Sequence, residues 1–141
     1  MKLRLLMLGK TRRPEMQALL DDYLRRVRRF SPVETVELKH ASALERLKRE
    51  PASVWVLLDP AGRQFKSEPF ARWLAELRDS GVREVNFLCG DAEGFPAAWR
   101  ERARERLSLG PLTLSHELAR VVLAEQLYRA FAILAGHPYP K

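Results

Sequence analysis

The segment 115–135, SHELARVVLAEQLYRAFAILA, constrains the fold most, because its helical pattern is apolar on nearly every side. Ser115 is a good N-cap residue, and Glu117 suits the positive end of a helix. A helix of this kind must be covered all round, and a sheet covers only one side. In a chain of 141 residues, the second covering surface is expected to be another copy of the chain. The pattern therefore predicts a homodimer.

The few polar positions of this helix raise a second question. Arg120 shares a side with Leu127 and Phe131, where a buried charge is costly unless it is paired. Two interpretations stay open, an ion pair at the dimer interface or a group that faces an anionic ligand. Glu125 and Arg129 are four residues apart, so we expect them to pair with each other.

Apolar strands and helical patterns alternate through the rest of the chain. We expect strands at 2–8, 33–38, 54–58 and 84–89, and helices at 14–30, 41–49, 67–79 and 95–107. The continuously apolar run 54–58 is typical of a parallel strand that is covered on both faces. The alternation predicts one α/β domain over residues 1–141, with a mostly parallel sheet and helices on both faces.

Charge and rare residues narrow the class of partner. The formal net charge of +7 favours a polyanionic partner such as nucleic acid, although a high-GC genome, which favours arginine codons, would give the same excess.

The chain has a single cysteine, Cys89, which excludes an internal disulfide and is expected to be a small buried hydrophobe. His40, His116 and His137 are too scattered for a metal site, so no metal is expected. Without a membrane span or a secretory signal, we expect a cytoplasmic protein with no membrane partner.

Three glycine-bearing stretches follow the predicted elements: DPAG at 59–62, GDAEG at 90–94 and SLGPL at 108–112. Ligands of open parallel sheets bind beyond the carboxyl ends of the strands, so these turns are expected to converge on one pocket. Main-chain donors and acceptors there would suit an adenine or a small polar cofactor. No GxGxxG, P-loop or G-x-S-x-G motif is present, which disfavours a nucleotide-dependent enzyme with a doubly wound sheet.

Four segments match, in order, the motifs of one known family. LTLSHELARVVLAEQLYRAFAILAGHPYPK (112–141) carries a T-L-x-H-x-L-x-R segment, an E-Q-L-Y-R-A helix and a P-Y tail. KLRLLMLGK is similar to the family's opening strand, LLDPAGRQF to its L-D-x-x-G-x turn, and FLCGDAEGF to its I-G-G-x-x-G loop. The chain thus resembles, over nearly its whole length, the SPOUT-class ribosomal RNA large subunit methyltransferase H family.

The resemblance implies methyl transfer from S-adenosylmethionine to N3 of a pseudouridine in large-subunit (23S) ribosomal RNA. It also implies a homodimer and a C-terminal trefoil knot. The implied cofactor contacts are Leu58, Gly90, Leu109, Gly110, Pro111, Leu112, Thr113 and Leu114. The expected RNA contacts are Arg120, Arg129, His137, Tyr139 and Lys141. The catalytic group stays open, with His137 a candidate proton acceptor and Arg120 a candidate for stabilising the developing anion. Small size and positive charge suggest the large subunit or the assembled ribosome as substrate.

The chain departs from the family pattern at three places, and the first two support an alternative function. Asp91 replaces the second glycine of the family's loop, and Pro140 stands where the family tail has histidine. The chain is also shorter than the family around 39–53, so RNA contacts are expected to move to the basic face at 25–29. The alternative is a non-catalytic RNA-binding or ribosome-associated protein that retains the fold.

Overall fold

A parallel sheet forms the centre of the molecule. The computed structural model describes residues 1–139, and within them it has five strands. These are β1 (Lys2–Leu8), β2 (Val33–Leu38), β3 (Ser53–Gln64), β4 (Glu84–Cys89) and β5 (Glu105–Ser108). Their order is β2-β1-β4-β3-β5, and each pair of neighbours is parallel.

Helices cover both faces of the sheet. They are α1 (Pro14–Val27), the 3₁₀ helix Ala41–Arg46, α2 (Ser67–Asp79), α3 (Ala97–Arg102) and α4 (His116–Leu134). Helices α1, α2 and α4 pack on one face, against side chains such as Leu5 and Phe87. The 3₁₀ helix and α3 pack on the other face, against Leu6 and Leu88. The predicted α/β class with a parallel sheet and helices on both faces is confirmed, whereas the trefoil knot stays a prediction.

Helix α4 is covered mainly within its own subunit. It lies between α1 and α2, and both helices pack against it. Ten of its residues are buried without a partner chain. The reasoning that a sheet covers only one side was therefore incomplete, because two neighbouring helices cover the flanks. The homodimer stays a prediction that this burial alone does not require.

The segment predicted as a charged helix over 95–107 divides into a helix and a strand. Helix α3 ends at Arg102, and β5 follows as an edge strand beside β3. Only Leu107 and Ser108 of β5 are buried. Two buried residues are too few to show the alternating pattern of a strand. The Arg- and Glu-rich composition of this segment therefore led to the wrong prediction of a helix where β5 lies. Similarly, the predicted helix 41–49 is the shorter 3₁₀ helix.

The predicted DPAG turn is a bulge inside β3. Leu58 and Arg63 both pair with Leu107 of β5, so residues 59–62 loop out between them. A Cβ atom on Gly62 would lie 2.7 Å from the carbonyl carbon of Arg106, so glycine permits the close approach of the two strands. Within residues 1–139, no helix is long and apolar enough to cross a membrane.

A buried polar network links β1 and β4 on the α3 side of the sheet. The Arg4 guanidinium lies 3.0 Å from Glu84 Oε1, and Arg4 Nε donates to Asn86 Oδ1 at 2.6 Å. Asn86 Nδ2 donates to Glu84 Oε1 at 3.1 Å. All three residues are buried. Each polar group of this network therefore depends on the others.

Candidate functional site

A cavity of about 510 Å³ lies beyond the carboxyl ends of β4 and β5 and beside the bulge of β3. The bulge of β3, the loop after β4, the loop after β5 and the first turn of α4 form its walls. Its size is in the range of cavities that hold small organic ligands. The three glycine-bearing segments thus meet at one edge of the sheet, as the sequence predicts.

Most of the predicted cofactor contacts line this cavity. They are Leu58, Gly90, Leu109, Gly110, Leu112, Thr113 and Leu114, while Pro111 is not part of the lining. The Leu112 side chain is 80% exposed, which is unusual for a large apolar residue beside a cavity. Such a side chain is available to pack on a bound molecule.

The loop after β4 is closed by its own backbone. Asp91 and Gly94 exchange two backbone hydrogen bonds of 2.9 Å. A Cβ atom on Gly90 would lie 2.7 Å from the Gly94 carbonyl carbon and closer still to its oxygen, so only glycine fits there. Asp91 Oδ1 accepts a hydrogen bond of 2.8 Å from the Glu93 amide. The carboxylate that departs from the family pattern therefore stabilises the turn.

Asp59 is a buried carboxylate in the cavity wall for which sequence reasoning gave no role. Its Oδ1 accepts the Ala61 amide at 2.9 Å, which shapes the bulge. Its Oδ2 lies 3.2 Å from Arg100 Nε and 3.9 Å from Arg106. The Arg100 guanidinium also lies 5.2 Å from the centroid of the Phe95 ring, another part of the lining. Asp59 thus holds two half-exposed arginines at the cavity rim.

The first turn of α4 connects the cavity to the loop after β1. The Leu118 amide donates to Ser115 Oγ at 3.4 Å, which confirms the predicted N-cap. His116, the first residue of α4, lines the cavity. Glu117 accepts the backbone amides of Arg12 and Arg13, each at 3.0 Å. These two hydrogen bonds hold the pKa of Glu117 below its usual value.

Glu117→Gln is expected to remove a pH-dependent part of the stability. Because the pKa is lowered in the folded state, the contribution is fully present above the ordinary glutamate pKa of about 4.3 and is lost as the pH falls through the lowered pKa. Urea unfolding at several pH values should show the wild type more stable at neutral pH, with the difference shrinking below about pH 4. Glu15→Gln, at an exposed carboxylate of α1, is the matched control. A difference that is unchanged down to pH 3 would contradict the assignment.

Arg120 is enclosed within the subunit. Its side chain is 0% exposed, and its guanidinium donates to the Leu8 carbonyl at 2.7 Å and to Thr11 Oγ1 at 2.9 Å. Burial lowers its pKa. Within the subunit this side chain is therefore held by the end of β1 and the loop after it. The predicted interface ion pair, the contact with an anionic ligand or RNA and the stabilisation of a developing anion stay predictions for Arg120. The sequence pattern did not show that the loop after β1 would supply the partners.

The other expected RNA contacts lie along α4 and in the tail beyond it. Arg129 pairs with Glu125 at 3.1 Å, which confirms the predicted local pair, and its guanidinium lies 4.6 Å from the Tyr139 ring centroid. Burial raises the pKa of Tyr139, as do hydrogen bonds to Tyr23 and Glu125. Pro140 and Lys141 lie outside the described residues.

His137 is distant from the cavity of its own subunit. Its amide donates to the Ala132 carbonyl at 2.8 Å, near the last turn of α4. His116 at the other end of α4 lines the cavity, and the rise of 1.5 Å per residue separates the two ends by about 27 Å. His137 is therefore not placed to accept a proton in the cavity of the same chain.

Cys89 has the inert environment that the sequence predicts. It is buried, and burial raises the pKa of its thiol to about 12. The thiol is therefore protonated at neutral pH, and a nucleophilic role is disfavoured. Among residues 1–139, no cluster of three or more His, Cys, Asp or Glu side chains is placed to hold a metal ion.

Comparisons with known proteins agree over nearly the full chain. A family model described as "Predicted SPOUT methyltransferase" matches residues 1–140. The ribosomal RNA large subunit methyltransferase H of Koribacter versatilis (strain Ellin345) is 44% identical over 142 residues, covering 99% of this chain and 97% of that protein. The protein of the same name from Pelobacter propionicus is 41% identical over 151 residues, covering 99% of each chain.

Solved structures show the same fold at low sequence identity. A probable methylase family protein from Haemophilus influenzae Rd KW20 has a TM-score of 0.60 and 10% identity, covering 99% of this chain and 72% of that one. A putative methyltransferase from Legionella pneumophila, in complex with the bound cofactor SAM, has a TM-score of 0.53 and 15% identity, covering 92% and 66%. At these identities the likeness concerns the fold alone.

Proposed function

The chain belongs to the SPOUT methyltransferase family, and we propose that it transfers a methyl group from S-adenosylmethionine to N3 of a pseudouridine in large-subunit ribosomal RNA. The observation that carries the proposal is the cavity beside the bulge of β3 and the ends of β4 and β5, which is lined by Leu58, Gly90 and most of the segment 109–114. Full-length relatives that carry the name ribosomal RNA large subunit methyltransferase H support the RNA class.

The cavity walls fit the proposed cofactor in size and chemistry. Leu58, Leu109 and Leu114 offer apolar surface for an adenine ring, and the exposed Leu112 adds to it. The carboxylate of Asp91 lies in the lining and suits a cationic sulfonium or ammonium group. When bound, S-adenosylmethionine supplies an electrophilic methyl group. The chain's own contribution is to fix the position of the reactants.

The imide proton of the pseudouridine must leave as N3 is methylated. His116 is a titratable base in the cavity lining, and it lies 3.8 Å from the Glu117 carboxylate. A proton acceptor supplied by the same subunit would therefore be His116 rather than His137. Otherwise solvent accepts the proton, and the enzyme supplies mainly orientation.

A homodimer would bring the distant tail to a cavity. His137 and Tyr139 follow the C-terminal end of α4 and pack back against it, so they can reach a bound RNA only beside the partner's cavity or over a long RNA surface. Large apolar side chains remain exposed on the α1–α4 layer: Leu19, Phe30 and Ile133, at 45%, 36% and 40%. These side chains support an interface there. Tyr139, His137, Arg129 and Lys141 remain the proposed RNA contacts.

Ile133→Asp is expected to weaken the dimer, because it places a carboxylate in the proposed apolar interface. Sedimentation equilibrium should give twice the chain mass of 16.3 kDa for the wild type and a lower mass for the variant. Ala98→Asp, on exposed α3 at the opposite face of the sheet, is the matched control and should remain dimeric. A wild type that sediments at 16.3 kDa at micromolar concentration would rule out the dimer.

Mass spectrometry of ribosomal RNA from a deletion strain tests the proposed reaction. One pseudouridine of the large subunit should lack a methyl group, and expression of the wild-type chain should restore it. Unchanged RNA would overturn the proposal.

Calorimetric titration with S-adenosylmethionine distinguishes this reaction from the rival function, a non-catalytic RNA-binding protein. If millimolar cofactor releases no heat, the result favours the rival function. The reaction on ribosomal RNA is also the reason we place the protein in the cytoplasm.

A further inference from the structure

Residues 10–13 (KTRR) form a strongly basic loop between β1 and α1, called here the basic loop. The side chains of Lys10, Arg12 and Arg13 are exposed. Within residues 1–139, the one recorded ion pair of these three side chains joins Arg13 and Glu15, at 3.8 Å and with both partners about two-thirds exposed or more. Such a pair contributes little, so the three positive charges are available to a partner.

Two buried residues of α4 hold the backbone of this loop in place. The Glu117 carboxylate accepts the amides of Arg12 and Arg13, each at 3.0 Å. The Arg120 guanidinium donates to Thr11 Oγ1 and to the Leu8 carbonyl just before the loop. The loop is thus fixed through its amides and its one hydroxyl, and none of its positive side chains takes part in these hydrogen bonds to α4.

The same turn of α4 lines the cofactor cavity. His116 and Ala119 are part of the lining, and each is the chain neighbour of one of the two residues that hold the loop. The His116 imidazole lies 3.8 Å from the carboxylate that binds the loop amides. The basic loop therefore lies at the rim of the cavity, on the side of β1.

We propose that the basic loop binds phosphate groups of the RNA strand that carries the target nucleotide, and that Glu117 and Arg120 are positioning residues for it. The proposal rests on the proposed function, since it names the part of the protein that receives the RNA backbone. Arginine forks and lysine ammonium groups are the usual partners of phosphates. The amides of Arg12 and Arg13 are already occupied by Glu117, so the exposed side chains make the contact.

The positioning role explains why α4 begins with two charged residues that are buried. Glu117 is 7% exposed and Arg120 is 0% exposed, and neither side chain lines the cavity. Their hydrogen bonds run to the loop and to the end of β1. The Glu117 carboxylate lowers the net positive charge of this region, so it weakens the long-range attraction of RNA. Its role is therefore to fix the positions of the positive side chains.

The first test removes the charges of the loop. The triple variant Lys10→Gln, Arg12→Gln, Arg13→Gln is compared with Arg72→Gln, Arg78→Gln, Arg83→Gln, which removes three exposed charges from α2 and the loop before β4. Methylation is measured with large ribosomal subunits from the deletion strain as substrate. The loop variant should raise KM for the subunits by roughly tenfold. The slope of log KM against the logarithm of the salt concentration should fall by about two units or more. The affinity for S-adenosylmethionine should be unchanged.

Equal increases of KM in the two triple variants would overturn the proposal, because the loss of net positive charge would then explain both increases. An unchanged KM in the loop variant would overturn it too. If the wild type does not methylate these subunits, the proposed function itself fails. The two failures are therefore distinguishable.

The second test leaves the loop charges intact. Glu117→Gln removes one negative charge from the region, so charge alone predicts a lower KM, whereas loss of positioning predicts a higher KM. Thr11→Val removes the acceptor for Arg120 without a change of charge or of side-chain shape. Both variants should raise KM several-fold, and Thr11→Val should leave kcat and cofactor affinity nearly unchanged. A lower KM in Glu117→Gln, or no change in either variant, would overturn the positioning role.

Discussion

Gly90→Ala is expected to weaken S-adenosylmethionine binding roughly 10- to 100-fold, because an added methyl group costs about 1–3 kcal/mol where it cannot be accommodated. The Cβ atom would lie 2.7 Å from the carbonyl carbon of Gly94, and backbone atoms cannot move aside as a flexible side chain does. The turn 91–94 would have to open, and that turn forms part of the cavity wall. Equilibrium dialysis with labelled cofactor measures the change.

A matched control separates this effect from general destabilisation. Gly136→Ala introduces a side chain at a φ of +66° beyond the end of α4, where nothing lies within 4 Å of the new atom. It should cost about 1 kcal/mol of stability through backbone strain, yet leave cofactor affinity as it is. Cofactor binding by Gly90→Ala at wild-type affinity, with the fold intact, would show that the turn is not part of the binding site.

Glu84→Ala is expected to destabilise the fold by about 3–5 kcal/mol, because it leaves the buried Arg4 charge without its partner. The two side chains are only 7% and 11% exposed, and Asn86 loses its acceptor as well. Urea unfolding measures the loss. Glu34→Ala breaks an ion pair of the same 3.0 Å length to Lys2, but there both side chains are more than 40% exposed. That control should cost less than about 1 kcal/mol.

A second variant tests the mechanism of this destabilisation. Replacing the whole network by apolar side chains, as Arg4→Met, Glu84→Leu, Asn86→Leu, removes every buried polar group at once. The loss should then be much smaller than for Glu84→Ala, because no charge is left unpaired. Equal losses in the two variants would mean that packing, not charge pairing, governs this part of the sheet.

The central strands were predictable because burial gives them a strong signal. β4 is buried along its whole length and β1 along most of it, and the ends of both agree with the sequence prediction. β2 was predicted as a half-exposed strand from the alternating pattern of 33–38, and its burial is mixed along its length. β5 was missed, since an edge strand of four residues has only Leu107 and Ser108 buried and is otherwise charged.

Long-range partners set the limits of the site prediction. The three loops were found because glycines after strands mark the carboxyl edge of a parallel sheet, and that rule is local. The roles of Arg120 and Glu117 depend on a loop more than 100 positions away in sequence. No spacing rule in a single sequence reveals such a pairing. The same holds for Asp59, whose arginine partners come from α3 and β5.

Hydrogen–deuterium exchange with and without S-adenosylmethionine tests the central claim most directly, namely that three segments at the ends of neighbouring strands bind the methyl donor together. The cofactor should slow exchange in peptides that cover 58–60, 89–95 and 107–116, and leave α2 unchanged. A second cavity, of about 280 Å³, lies nearby between Phe65, Phe70 and Gln126. Protection confined to peptides around 64–70 and 122–126, or no protection at saturating cofactor, would contradict the account.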